Sequence, residues 1–378
     1  MPVAFTVRVE VLRALVERVE KIVERRNTIP ILSNLALAVE ADGRIRVTGT
    51  DLDIWAIATA PEASATVGEA GETTVPAALL KDICGKLDKG AELRFASSGT
   101  QVTLSSGRSR FKLNELPTAD FPDPAEREAA CTFQLSAEQL TAVRSRCGFA
   151  ISTEETRYYL NGVFWHRDEQ HPECLTSVAT DGHRLALLRI PIAADIAELP
   201  GVIIPRKTVE RAFDLLASSC GEEELVEIDV EENGIVLETQ ALRIVSKVID
   251  GKFPDYVRVI PTANDKIVEV ESVALKAAVD RVRTVSAERG RGVRCAFAGE
   301  TLTLSMASPD AGDATDEVTL YGAPVELEIG FNGQYILQAL DTFDGARVRL
   351  AMNDAGSPAV LSNPSDADRL VVLMPMRV

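Results

Sequence analysis

Histidine is scarce in this chain, with three in 378 residues: His166, His171 and His183. Aromatic residues make up 5% and do not interleave the basic ones, which disfavours stacking on single-stranded nucleic acid. Six cysteines (Cys84, Cys131, Cys147, Cys174, Cys220, Cys295) lie far apart. The short spacings of zinc sites and redox motifs are therefore missing. Cys84, Cys147 and Cys295 fall on apolar faces and read as reduced core thiols. There is no phosphate loop, dinucleotide fingerprint, zinc helix, calcium loop or Gly-x-Ser-x-Gly, so no cofactor, metal or catalytic residue is expected. No apolar run is long enough to span a bilayer, and Met1–Glu10 lacks the features of a signal peptide. A cytoplasmic location is the expectation. Excess positive charge is absent too: the net charge is −17 and no third of the chain is basic. Composition alone thus argues against nucleic acid, unless the basic residues are gathered on one surface.

What the chain does have is internal repetition. Apolar residues at 46% and charged residues at 26% suit a globular protein, and the length suits two or three domains. Helix-opening patterns recur at Val75-Pro76-Ala77, Ile204-Pro205-Arg206 and Phe331-Asn332-Gly333. Amphipathic patterns lie at Val11–Arg25, Ser136–Cys147 and Ser272–Val285. In the second of these, Ser136 and Gln139 form a capping box. Thr50-Asp51 recurs as Thr180-Asp181, and Ala119-Asp120-Phe121-Pro122-Asp123 is echoed by Gly251-Lys252-Phe253-Pro254-Asp255. The step is about 126 residues, and alternating strand patterns joined by turns such as Asp42-Gly43 and Ser98-Gly99 fill the rest. The expected fold is α+β, in three like domains at 1–130, 131–256 and 257–378, each with two helices and antiparallel sheets.

Basic residues favour the helices. Arg18, Lys81, Arg144, Arg206, Lys207 and Arg281 are candidate phosphate contacts, although each also fits a solvated helix face. The helix pattern after Asn332 carries no basic residue. Arg108 and Arg110 near the end of the first repeat oppose in sign Asp310, Asp313 and Asp316 in the third, as a head-to-tail contact between copies requires. The most polar cluster beside apolar sequence is Thr180-Asp181-Gly182-His183-Arg184-Leu185. It reads as structural or binding, with a hydrolase using Asp181 and His183 as the rival reading. The terminal run Val371–Arg377 is apolar almost throughout, and alternation sends Val371 and Leu373 to one face and Val372 and Met374 to the other.

Several motifs together resemble one family. Arg157-Tyr158-Tyr159-Leu160-Asn161-Gly162, Ala179–Ala186, Asp250–Tyr256, Arg291-Gly292-Val293-Arg294 and Met374-Pro375-Met376-Arg377 are similar to the bacterial DNA polymerase III beta clamp. So are Thr28–Asn34 and Ser106–Phe111 in the first repeat. The resemblance implies a non-enzymatic sliding clamp, a head-to-tail dimeric ring around duplex DNA of any sequence. It implies a peptide pocket for polymerase, clamp-loader and repair proteins, formed by Leu160, Thr180, Gly182, His183, Arg184, Leu185, Pro254, Arg258, Val259, Asn332, Tyr335, Val372, Leu373, Met374, Pro375, Met376 and Arg377. Arg26 matches a DNA-touching position of the family. Glu154 stands where an amide is common and Val378 where leucine is common. A paralogous or drug-resistant clamp serving another role carries the same motifs.

Overall fold

The computed structural model describes residues 3–24, 28–125, 128–221, 223–285, 292–309, 311–343, 345 and 347–377. Six α-helices are present among them: α1 (Val9–Val19), α2 (Ala77–Lys86), α3 (Ala137–Cys147), α4 (Phe213–Ser219), α5 (Ser272–Val282) and α6 (Gly333–Leu340). Their order and spacing follow the repeat. Helix α1 is shorter than its apolar stripe. Regular hydrogen bonding stops at Val19, but turns through Glu20 keep Ile22 and Val23 buried. The capping box closes as the sequence requires: Ser136 N–H donates to Gln139 Oε1 at 2.8 Å, and Gln139 N–H to Ser136 Oγ at 3.1 Å. A short π-helical stretch at Thr208–Ala212 leads into α4.

The chain condenses into two compact units, 1–141 with 194–200 and 207–248, and 142–193 with 201–206 and 249–378. In the first unit an eight-stranded antiparallel sheet joins four strands of the first repeat to four of the second, through pairing of Ile54–Ala60 with Leu242–Lys247. A separate five-stranded sheet ends in the edge strand Ser109–Asn114. In the second unit a twelve-stranded sheet joins the other four strands of the second repeat to the third, through pairing of Arg184–Leu188 with Arg369–Leu373. The two junctions are built alike, because the second and third repeats each end in a strand that pairs with a strand of the repeat before.

Apolar helix faces close each core. Leu12, Leu15, Val16 and Val19 of α1 are buried in the first unit, and Leu275, Ala278, Val279 and Val282 of α5 in the second. The six cysteines are free thiols and all but Cys220 are buried. Burial pushes Cys84 up to about 11, and Cys147 and Cys295 up to about 12, so these three stay protonated and inert.

Candidate functional site

A tight loop, Thr180–Arg184, shapes a concavity of the second unit. Asp181 Oδ1 accepts the backbone N–H groups of His183 and Arg184 at 2.9 and 3.0 Å, and its Oδ2 accepts Arg184 Nε at 3.0 Å. Thr180 Oγ1 accepts the Gly182 N–H and donates to the Arg184 carbonyl. These bonds force Gly182 to φ +88°, where a Cβ would stand 2.7 Å from Arg157 Nη1. Arg157 itself is held by two bonds of 2.7 Å to Glu154 and one of 3.0 Å to the Asp181 carbonyl. That contact holds the exposed Glu154 carboxyl below the usual range.

The loop borders a groove of about 390 Å³. Its floor is apolar: Leu160, Leu185 and Val372 are buried and pack in one cluster with Phe253 and Tyr256. Val259, 43% exposed, and Met374, 36% exposed, line the groove. Arg157, Thr180, Gly182, Arg184 and Pro254 complete the lining with Tyr159 and Tyr256. Arg184 is buried, its guanidinium 4.3 Å from the Tyr335 ring centroid and bonded to Gln338. Tyr256 is tied from behind by a 2.9 Å bond between its hydroxyl and His166 Nε2. Phe164 stacks between His166 and Phe253, each at 4.8 Å. Burial pushes the Tyr256 phenol up to about 12 and lowers His166.

Of the sequence-derived pocket residues, nine line this groove. Around it, His183 stacks against Tyr335, Asn332 caps α6 through the Gln334 and Tyr335 N–H groups, and Arg258 pairs with Asp255. Leu373 belongs to the core of the third repeat. Met376 is not among the residues lining the groove; its N–H donates to the Gly330 carbonyl, which draws the chain end onto strand Val325–Asn332. Pro375 and Arg377 flank it outside the groove lining. Arg157, Tyr159 and Tyr256 line the groove without having been singled out. Their signal was present in the motifs Arg157–Gly162 and Asp250–Tyr256. The hydrolase reading fails on geometry, because the Asp181 carboxylate binds backbone N–H groups and Arg184, while the His183 ring meets Tyr335.

The basic helix residues are less free than their sequence implies. Lys81 bonds Glu20 at 2.6 Å, and Lys207 bonds both Asp51 and Glu24. Arg281 and Asp316, assigned to two different surfaces, bond each other at 2.5 Å because α5 packs along strand Gly312–Gly322. Arg206 is exposed, while Arg18 and Arg144 are half-buried. Arg108, Arg110 and Asp313 are exposed, the first two in the turn and edge strand that close the five-stranded sheet. Arg26 and Asp310 lie outside the described residues. Among the described residues no cluster of His, Cys, Asp and Glu could hold a metal ion, and no helix is long and apolar enough to cross a membrane.

Comparison with known proteins agrees along the whole chain. Models of the N-terminal, central and C-terminal domains of the DNA polymerase III beta subunit match residues 3–125, 134–255 and 257–377. The beta sliding clamp of Caulobacter vibrioides is 40% identical over 374 residues, 98% of each chain. That of Escherichia coli K12 is 36% identical over 376 residues, 99% of this chain and all of the other. A sliding clamp from Bartonella birtlesii, solved with griselimycin, superposes over the full length of both chains with a TM-score of 0.94 at 38% identity. A Caulobacter crescentus clamp, solved with polyethylene glycol at a region assigned to tethering beta-motifs, covers both chains fully with a TM-score of 0.94 at 39% identity. With matches to all three domains in order, the chain belongs to the DNA polymerase III beta subunit family, the non-enzymatic sliding clamps that make a DNA polymerase processive.

Proposed function

We propose that two copies of this chain close head to tail around duplex DNA, and that the groove beside Thr180–Arg184 receives short peptide motifs from the polymerase, the clamp loader and repair proteins. The observation that carries the peptide reading is an apolar groove with exposed Val259 and Met374 beside an ion-paired rim. Methionine adapts its shape, which suits a site that accepts several partners. The repeats are assigned to 1–130, 131–256 and 257–378. Ring closure uses the open edge strand Ser109–Asn114, with Arg108 and Arg110 facing Asp313 and its neighbours in the next copy. DNA contact is assigned to Arg18, Arg26, Lys81, Arg144, Arg206, Lys207 and Arg281. Pairing of Lys81, Lys207 and Arg281 with carboxylates keeps that contact weak, which permits sliding. The ring works in the cytoplasm, on the nucleoid. Once loaded, it stays on circular duplex far longer than on linear duplex of the same sequence. Equal lifetimes on the two, measured by single-molecule fluorescence, would exclude topological retention.

A further inference from the structure

Among the described residues, the loop that shapes the groove occurs twice. In the first unit, Asp51 Oδ1 accepts the N–H groups of Asp53 and Ile54 at 3.0 and 2.8 Å, as Asp181 does for His183 and Arg184. Thr50 Oγ1 accepts the Leu52 N–H, as Thr180 does for Gly182. Leu52 takes φ +77° against +88° at Gly182, a conformation leucine rarely adopts. Lys247 N–H donates to the Asp53 carbonyl at 2.9 Å, and Met374 N–H to the His183 carbonyl at 2.9 Å. Strand registers agree as well, with Trp55 opposite Val245 and Leu185 opposite Val372. Leu32 and Phe121 are buried in the first unit, as Leu160 and Phe253 are in the second.

The two copies differ in what fills them. Leu185 leaves a groove open above it, whereas the position of Leu185 is taken in the first unit by Trp55, only 8% exposed. The indole N–H donates to the Pro122 carbonyl at 2.9 Å and so ties down the connector that Phe121 also anchors. Lys247, in the place of Met374, lies with its ammonium 6.0 Å from the indole centroid and 3.1 Å from Asp53. Farther along the same sheet face a cavity of about 810 Å³ remains, lined by Ile57, Phe121 and Val245 among ion-paired side chains.

We propose that Trp55 occupies a second copy of the peptide groove and is the residue that limits each chain to one partner peptide. The inference rests on the peptide reading of the open groove. Trp55 supplies from within the chain the apolar side chain that a partner supplies at the other copy, and Lys247 with Asp53 covers it.

Calorimetric titration with a synthetic Gln- and Leu-containing peptide tests this. The proteins are the full chain, Trp55→Leu, and the triple variant Trp55→Leu/Lys247→Met/Leu52→Gly, which restores the open-groove residues while keeping apolar packing. One equivalent per chain is expected for the unaltered protein and two for the triple variant. A triple variant that folds and still binds one equivalent overturns the proposal. If the unaltered chain binds no peptide, the groove reading itself fails, and indole decides the rest. One equivalent of indole on Trp55→Ala and none on the unaltered chain supports a filled site, and no indole on either rejects it.

Discussion

Gly182 is the residue on which the groove turns. Its backbone lies where side chains are strained, and its missing Cβ leaves room for Arg157. Gly182→Ala adds strain of about 1–3 kcal/mol and pushes the guanidinium off the Asp181 carbonyl. Peptide affinity should drop at least severalfold by calorimetry, with a lower melting temperature, and unchanged values of both would show that the loop relaxes freely. His166 acts at the same scale. Burial lowers it from 6.5, with Arg189 lowering it further and the Arg167 carbonyl and Asp168 opposing. The unfolded chain therefore takes up this proton first, so stability from His166 is present above about pH 6.5 and is lost as pH falls toward the lower folded value. The melting temperature of the unaltered chain should drop more between pH 7 and pH 5 than that of His166→Gln. Parallel curves would remove His166 from the acid response.

At the scale of elements, the last strand divides its two faces between two tasks. Val371 and Leu373 enter the core of the third repeat, while Val372 joins the groove cluster and Met374 lines the groove. The alternation read from the sequence places all four. Beyond Leu373 the chain adds a backbone bond from Met374 to His183 and one from Met376 to Gly330, and no buried side chain among residues 374–377. Removing Met374–Val378 should abolish binding of the Gln- and Leu-containing peptide while shifting thermal unfolding only slightly. Full affinity in the truncated protein would refute the groove assignment, and Leu185→Ala checks it if truncation prevents folding. Helix ends were equally legible: Ser136 and Gln139 are three residues apart, and their bonds need nothing from elsewhere.

At the scale of the whole molecule, the proposed ring makes charge a matter of assembly more than of fold. Arg108 in the turn, Arg110 on the open edge strand that follows it, and Asp313 on the third repeat are all exposed, and in the proposed ring their opposite charges would set orientation between copies. Light scattering at micromolar concentration should give a dimer. Arg108→Glu/Arg110→Glu should raise the dissociation constant, with a smaller difference between the proteins at high salt. A monomer in low salt for the unaltered chain would overturn the ring. The acidic net charge of −17 is compatible with DNA contact because a closed ring needs no strong phosphate binding.

The sequence by itself determined the repeat, the helix positions and caps, the strand alternation and the loop around Asp181. Each is encoded within a short stretch, where side-chain period and local hydrogen bonds decide the outcome. Only the tertiary structure decided which charges and apolar groups meet. Arg281 finds Asp316, Lys207 finds Asp51, and the Met376 N–H finds the Gly330 carbonyl. It also decided that two nearly identical loops differ in outcome, one open beside Leu185 and the other filled by Trp55. Partners brought from 35 residues away or more depend on sheet pairing and packing, and no local pattern records which side chain will arrive.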